Sequence, residues 1–217
     1  MNIEQARFNM IEQQVRPWDV LDQRILNLLS SIPREEFVGD ANRHRAFMDI
    51  ELPIGDGEKI LPPRMQARLA QELAVKDGDR VLQLGIGSGY ITAILASLAD
   101  HVFAVDNQEI LKEHARRCLD SQNIDNVTLS VADACNGWAD SAPYDAILMT
   151  AAVPAVPESI KQQLKAGGRL LAIVGTEDLQ EAILYEKLSD GTWKESSLFD
   201  CKVPFMQNIE RPSSFVF

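Results

Sequence analysis

One run constrains this chain more than any other: Arg80-Val-Leu-Gln-Leu-Gly-Ile-Gly-Ser-Gly-Tyr90. Its apolar start reads as a buried parallel strand. Gly85, Gly87 and Gly89 read as a tight turn into a helix, because a residue without Cβ tolerates positive φ and lets a ligand come close to the backbone. The helix expected from Tyr90 to Leu98 points its unpaired N–H groups at whatever lies over the turn. The plain alternative is a glycine-rich turn that serves only the strand–helix junction.

The spacing narrows the ligand. A dinucleotide fingerprint reads G-x-G-x-x-G, and its third glycine would fall where Tyr90 stands. The G-x-G-x-G pattern found here is typical of S-adenosylmethionine enzymes. Asp106 ends the next apolar run, His101 to Asp106, where a carboxylate can accept both ribose hydroxyls of an adenosine. Asp133 follows a third strand-like run, Val127 to Ala132. Its carboxylate suits the adenine amino group, or equally a helix N-cap or turn. With Ile86 in the loop and Ala134 beside Asp133, these residues form the expected cofactor site.

The chain has 217 residues and 46% apolar content, enough for one well-filled core. Its 21 Lys and Arg against 32 Asp and Glu leave a net charge of -11. Clustered cations are what phosphate contacts need, so nucleic acid is not an expected partner. Cys118, Cys135 and Cys201 are far apart and lack metal-ligand or disulfide spacing, so free thiols and no metal site are expected. Neither a signal-peptide pattern nor a membrane-spanning run is present, and a cytoplasmic protein is expected.

Two amphipathic patterns occupy residues 2–31, separated by Pro17, with Asp19 a candidate N-cap for the second. Residues 47–63, rich in Gly and Pro, read as a shaped loop of the kind that carries binding residues, followed by a helix from about Arg64 to Ala74. Strands are expected at 80–84, 101–106, 126–131, 144–150 and 169–174, with helices near 89–98, 108–121 and 157–165. Gly167-Gly168 is expected to turn the last helix into its strand. This alternation implies parallel strands with right-handed crossovers. Asp190-Gly191 between strand-like runs 182–188 and 193–203 signals a hairpin. The fold expected is a Rossmann-like α/β methyltransferase fold: a mostly parallel seven-stranded sheet, an antiparallel C-terminal hairpin and an N-terminal helical extension. Residues 1–63 are expected to form a helical cap with an active-site loop, and 64–217 the cofactor-binding core.

Five pieces carry a family resemblance: Ile32-Pro-Arg-Glu-Glu-Phe-Val38, Leu52-Pro-Ile-Gly-Asp-Gly57, Val81 to Tyr90, Pro143 to Ala152 and Gln163 to Arg169. Along nearly its whole length the chain resembles protein-L-isoaspartate O-methyltransferases. The resemblance implies methyl transfer from S-adenosylmethionine to the side-chain carboxylate of isoaspartate in damaged proteins. It also implies a C-terminal end that approaches the cofactor. The chain departs from the family at two places. Leu61 stands where the family has its active-site serine, and Gln83 where it has glutamate. These favour two alternatives, another methyl acceptor or a non-catalytic S-adenosylmethionine-binding protein. Thr150, at the end of the fourth strand, is a candidate active-site residue. Lys59, Ile60 and Arg64 are candidate substrate contacts, either cation being able to replace the lost hydroxyl donor; both also read as solvated surface cations.

Overall fold

The structure, a computed structural model, describes residues 2–55 and 57–210. Asp56 of the Leu-Pro-Ile-Gly-Asp-Gly piece and the tail beyond residue 210 lie outside the described residues. Helix α1 (Ile3–Met10) runs into a π-helical turn (Ile11–Val15) and a 3-10 turn (Arg16–Trp18), followed by α2 (Gln23–Ser31). Pro17 lacks the N–H a helix interior needs, and the helical ladder loosens just ahead of it. Asp19 does not cap α2. It closes the 3-10 turn in the left-handed region at φ 58, and Asp22 is the N-cap, accepting from Arg24 N at 2.8 Å.

The segment expected to be an irregular loop is a small hairpin of β1 (Leu52–Gly55) and β2 (Glu58–Ile60), which leads into α3 (Pro63–Leu73). The remaining order is β3 (Arg80–Leu84), α4 (Tyr90–Ala96), β4 (His101–Asp106), α5 (Glu109–Ser121), β5 (Val127–Val131), β6 (Tyr144–Val153), α6 (Glu158–Lys161), β7 (Leu164–Gly175), β8 (Gln180–Lys187) and β9 (Trp193–Cys201). The seven-stranded sheet has the order β5-β4-β3-β6-β7-β8-β9. Strands β3 to β7 pair in parallel, and β8 is antiparallel to both its neighbours. This is the expected fold.

The expected helix 157–165 is short. It stops at Lys161 because the chain from Leu164 already pairs with Tyr144. Gly167 and Gly168 therefore sit inside β7 rather than before it. The register jumps from Tyr144↔Leu164 to Ala146↔Arg169, and the extra residues bulge out there.

Side chains alternate along each strand, and both faces are covered. Val81, Val102, Ala146 and Leu171 face a core shared with α1 to α5. Leu82, Val105, Ile147 and Leu170 face a second core with Ile160 and Tyr144. The N-terminal helices thus join the main core through Met10, Ile25 and Leu29.

Arg34 fastens that junction. Its side chain is 1% exposed. It donates to Ala46 O (2.9 Å), to Leu61 O (2.9 Å) and to Gln66 Oε1, and its guanidinium lies 5.1 Å from the Tyr90 ring centre. Burial pulls its pKa down to about 10. Arg34→Met would leave three buried acceptors unpaired and should lower urea-unfolding stability by about 3 kcal/mol. Asp22→Ala, which removes the α2 cap, should lower it by about 1 kcal/mol in the same assay.

Candidate active site

The strand order reverses between β3 and β6, and an open α/β sheet forms a crevice at such a point, beyond the carboxyl ends of its strands. Here it is a cavity of about 320 Å³. Its lining includes the turn Gly85–Ser88 after β3, Asp106 at the end of β4, and Asp133 and Ala134 just past β5. The hairpin residues from Gly57 to Leu61, Thr150 and Ala151 of β6, and the segment Pro204 to Gln207 complete it.

The glycines are there for close approach. Gly85 sits at φ +95, and a Cβ on it would fall on Thr150 Oγ1. The Thr150 hydroxyl donates to the carbonyl of Leu84 or Gly85, each 3.1 Å away. Gly89, at φ +84, leaves so little room that a Cβ would come within 2.8 Å of Ala115 Cβ on α5. The third glycine therefore seats a neighbouring helix, which is compatible with a tyrosine at the next position.

Asp106 has a structural task that its spacing did not disclose. Its Oδ2 accepts from Ile86 N (2.8 Å) and Gly87 N (3.4 Å), and its Oδ1 from Gln108 N (3.3 Å). The carboxylate at the end of β4 thus holds the turn after β3. A carboxylate has about four lone-pair sites, so capacity remains toward the cavity. Asp133 is an N-cap, its Oδ1 accepting from Cys135 N at 3.1 Å, and it also lines the cavity. Gln83 is fully buried and braces the turn, donating from Nε2 to Gly85 O at 2.7 Å, while its Oε1 has no partner among the described residues.

Of the expected substrate contacts, Lys59, Ile60 and Leu61 line the cavity. Arg64 is not among the lining residues. Its Nε pairs with Asp49 Oδ2 at 3.1 Å and its guanidinium lies 4.4 Å from the Trp18 ring centre. The C-terminal segment reaches the cavity because Ala152 N donates to Pro204 O (2.9 Å) and Met206 N to Ala152 O (2.8 Å). The free thiols of Cys118, Cys135 and Cys201 are each pushed up to about 11 by burial, so they are protonated at neutral pH. Among the described residues no group of three or more His, Cys, Asp or Glu is arranged to hold a metal ion.

Sequence reading missed a polar clasp at this cavity. Glu58 Oε1 accepts from Gln207 Nε2 (2.5 Å) and Gln108 Nε2 (3.2 Å), and Gln207 Oε1 accepts from Asn107 Nδ2 (2.6 Å). One carboxylate and three amides tie the hairpin, the end of β4 and the C-terminal segment together. The place of Asn107-Gln108 directly after Asp106 was a weak signal; nothing in spacing connects Glu58 to Gln207, 149 residues away.

The sequence model of the protein-L-isoaspartate(D-aspartate) O-methyltransferase family matches residues 5–209. The chain is 39% identical over 201 residues to protein-L-isoaspartate O-methyltransferase of Syntrophus aciditrophicus, covering 92% of each chain. It is 39% identical over 207 residues to protein-L-isoaspartate O-methyltransferase 2 of Marinobacter nauticus, covering 94% of each. Among solved structures, a protein-L-isoaspartate O-methyltransferase superimposes with a TM-score of 0.76 at 23% identity, covering 93% of this chain and 65% of that one. A Plasmodium falciparum protein named for the same activity, solved with S-adenosyl-L-homocysteine, gives 0.77 at 19% identity, covering 95% and 99%. At those identities the two structures speak for the fold, and the sequence matches for the family. The chain belongs to the protein-L-isoaspartate(D-aspartate) O-methyltransferase family.

Proposed function

We propose that this chain transfers a methyl group from S-adenosylmethionine to the side-chain carboxylate of isoaspartyl residues in damaged proteins. The observation that carries this reading is the cavity at the β3–β6 switch point, with Asp106 and Asp133 on its rim, in a chain of this family. The residues present fit an adenosyl ligand. Among the described residues, its own chain neighbours aside, no heavy atom lies within 4 Å of where a Cβ on Gly87 would point, so the turn offers open backbone. Ile86, Leu111 and Ala134 supply apolar lining beside the two carboxylates. The volume sits at the lower end of the range of about 300–1,000 Å³ usual for small-molecule sites.

In this reading the Gly85–Gly89 turn and Ile86 cradle the cofactor, Asp106 takes its ribose hydroxyls, and Asp133 with Ala134 takes its adenine. When bound, S-adenosylmethionine supplies a methyl group on a positively charged sulfur, open to direct displacement. The acceptor carboxylate, with a usual pKa of about 4, is ionised at neutral pH, so the protein has no proton to remove. Its work is alignment and exclusion of water. The clasp of Glu58, Gln108, Asn107 and Gln207 fastens the segments that exclude water, and Thr150 holds β6 against the turn. Residues 1–63 act as cap and active-site loop over a core at 64–217, in the cytoplasm, with an isoaspartyl peptide or protein and not nucleic acid as partner.

Leu61 favours a second reading in which the acceptor differs, because an apolar side chain with no donor lines the acceptor end. Titration calorimetry with S-adenosyl-L-homocysteine, followed by methylation of an isoaspartyl peptide beside its aspartyl twin, separates the two. The first reading expects binding and transfer to the isoaspartyl peptide alone; binding without transfer contradicts it.

Gly85→Ala and Asp106→Ala should each weaken S-adenosyl-L-homocysteine at least about tenfold, the first by forcing the turn off Thr150 and the second by freeing it. Gln207→Ala should speed its dissociation roughly threefold to tenfold in stopped flow, with little change in association.

A further inference from the structure

We infer that Lys59 is the specificity-determining contact for the acceptor carboxylate, taking over the recognition that a hydroxyl at position 61 would supply. This rests on the reading above that the acceptor is a carboxylate. An ionised carboxylate entering a partly enclosed site needs a hydrogen-bonding partner, above all a cationic one. Leu61, Ile60 and Ala151 offer it no side-chain donor. Glu58 repels it and is engaged by Gln108 and Gln207.

Elimination among the cations leaves one residue. Arg34 is 1% exposed, bonded to Ala46 O, Leu61 O and Gln66, and is not among the residues lining the cavity. Arg64 faces Asp49 and Trp18 instead of the cavity. Among the described residues lining the cavity, Lys59 is the one cationic residue, and its ammonium is turned onto Glu51, outside that lining, so it has to swing inward to meet an acceptor.

The hold on the Lys59 side chain is weak. Its present partner is Glu51 Oε2 at 3.0 Å, and the side chains are 51% and 32% exposed. Such an exposed ion pair contributes little net stability, so exchanging Glu51 for a substrate carboxylate is inexpensive. The backbone beneath it is fixed. Lys59 lies on β2 opposite Pro53, between Glu58 held by the clasp and Leu61 held by Arg34. A flexible ammonium on an anchored strand gives a point-charge contact with three donors, less directional than a hydroxyl in a fixed position.

The test uses the full chain loaded with S-adenosyl-L-homocysteine. An isoaspartyl peptide and its side-chain amide counterpart are titrated by fluorescence anisotropy, and KM and kcat for the isoaspartyl peptide are measured with S-adenosylmethionine. Wild type should prefer the carboxylate peptide. Lys59→Met should abolish that preference and raise KM about tenfold, with S-adenosyl-L-homocysteine affinity and thermal midpoint unchanged. Lys59→Arg should keep the preference, and Leu61→Ser should restore part of it in the Lys59→Met background. A preference that survives Lys59→Met overturns the role of Lys59 and leaves the proposed activity standing. A wild type that binds S-adenosyl-L-homocysteine but does not distinguish the two peptides overturns the carboxylate acceptor itself, and Lys59 with it.

Discussion

The bond from Asp106 to the backbone of the glycine turn is the contact on which the rest of the site depends. A turn of three closely spaced glycines has little side-chain packing to hold it, and glycine loses more conformational freedom on ordering than any other residue. A single carboxylate at the end of β4 offsets that looseness by gathering the N–H groups of Ile86 and Gly87. It can do so because β3 and β4 pair in register from Arg80↔His101 to Leu84↔Val105, which brings Asp106 level with the turn. Sheet pairing, turn shape and the charge facing the cavity are thus one arrangement.

The second constraint works from behind. Arg34 is a buried cation whose partners are two backbone carbonyls and a glutamine side chain. Uncompensated buried charge is costly, which makes Arg34 informative: it belongs to the Pro-Arg-Glu-x-Phe-Val piece, yet acts at Leu61, 27 residues later. The N-terminal helices therefore share the sheet's core, and the chain just after them holds the segment that brings Leu61 to the cavity. From the other side Glu58 reaches Gln108 and Gln207. The hairpin is held at both ends, and Lys59 between them pairs with Glu51 at the exposed surface.

Much of the fold was legible because buried parallel strands announce themselves as short apolar runs. The bounds 80–84 and 101–106 coincide with β3 and β4, and Asp190-Gly191 does join β8 to β9. Errors arose where long-range pairing overrides local preference. Residues near 157–165 look helical alone, but pairing of Leu164 with Tyr144 ends the helix early. Asp19 was expected to cap α2, but the 3-10 turn around Pro17 takes it up, and Asp22 caps the helix instead. The site divides in the same way. Gly85, Ile86, Gly87, Asp106, Asp133, Ala134, Thr150, Ile60 and Leu61, with Lys59 singled out by its nearness to Leu61, meet at one cavity, whereas Gly89 is not among its lining residues and packs against α5. Arg64 was placed there only by nearness in sequence, and an aromatic ring and Asp49 hold it elsewhere. Contacts between distant segments, such as Glu58 with Gln207, have no one-dimensional signature.

The proposed nucleoside site is the turn after β3 with Asp106 and Asp133. A crystal structure of the chain with S-adenosyl-L-homocysteine addresses it most directly. The ribose hydroxyls are expected against Asp106, the adenine beside Asp133 and Ala134, and the sulfur facing Leu61 and Thr150. A ligand seated elsewhere, or side chains filling the space above Gly87, would contradict it.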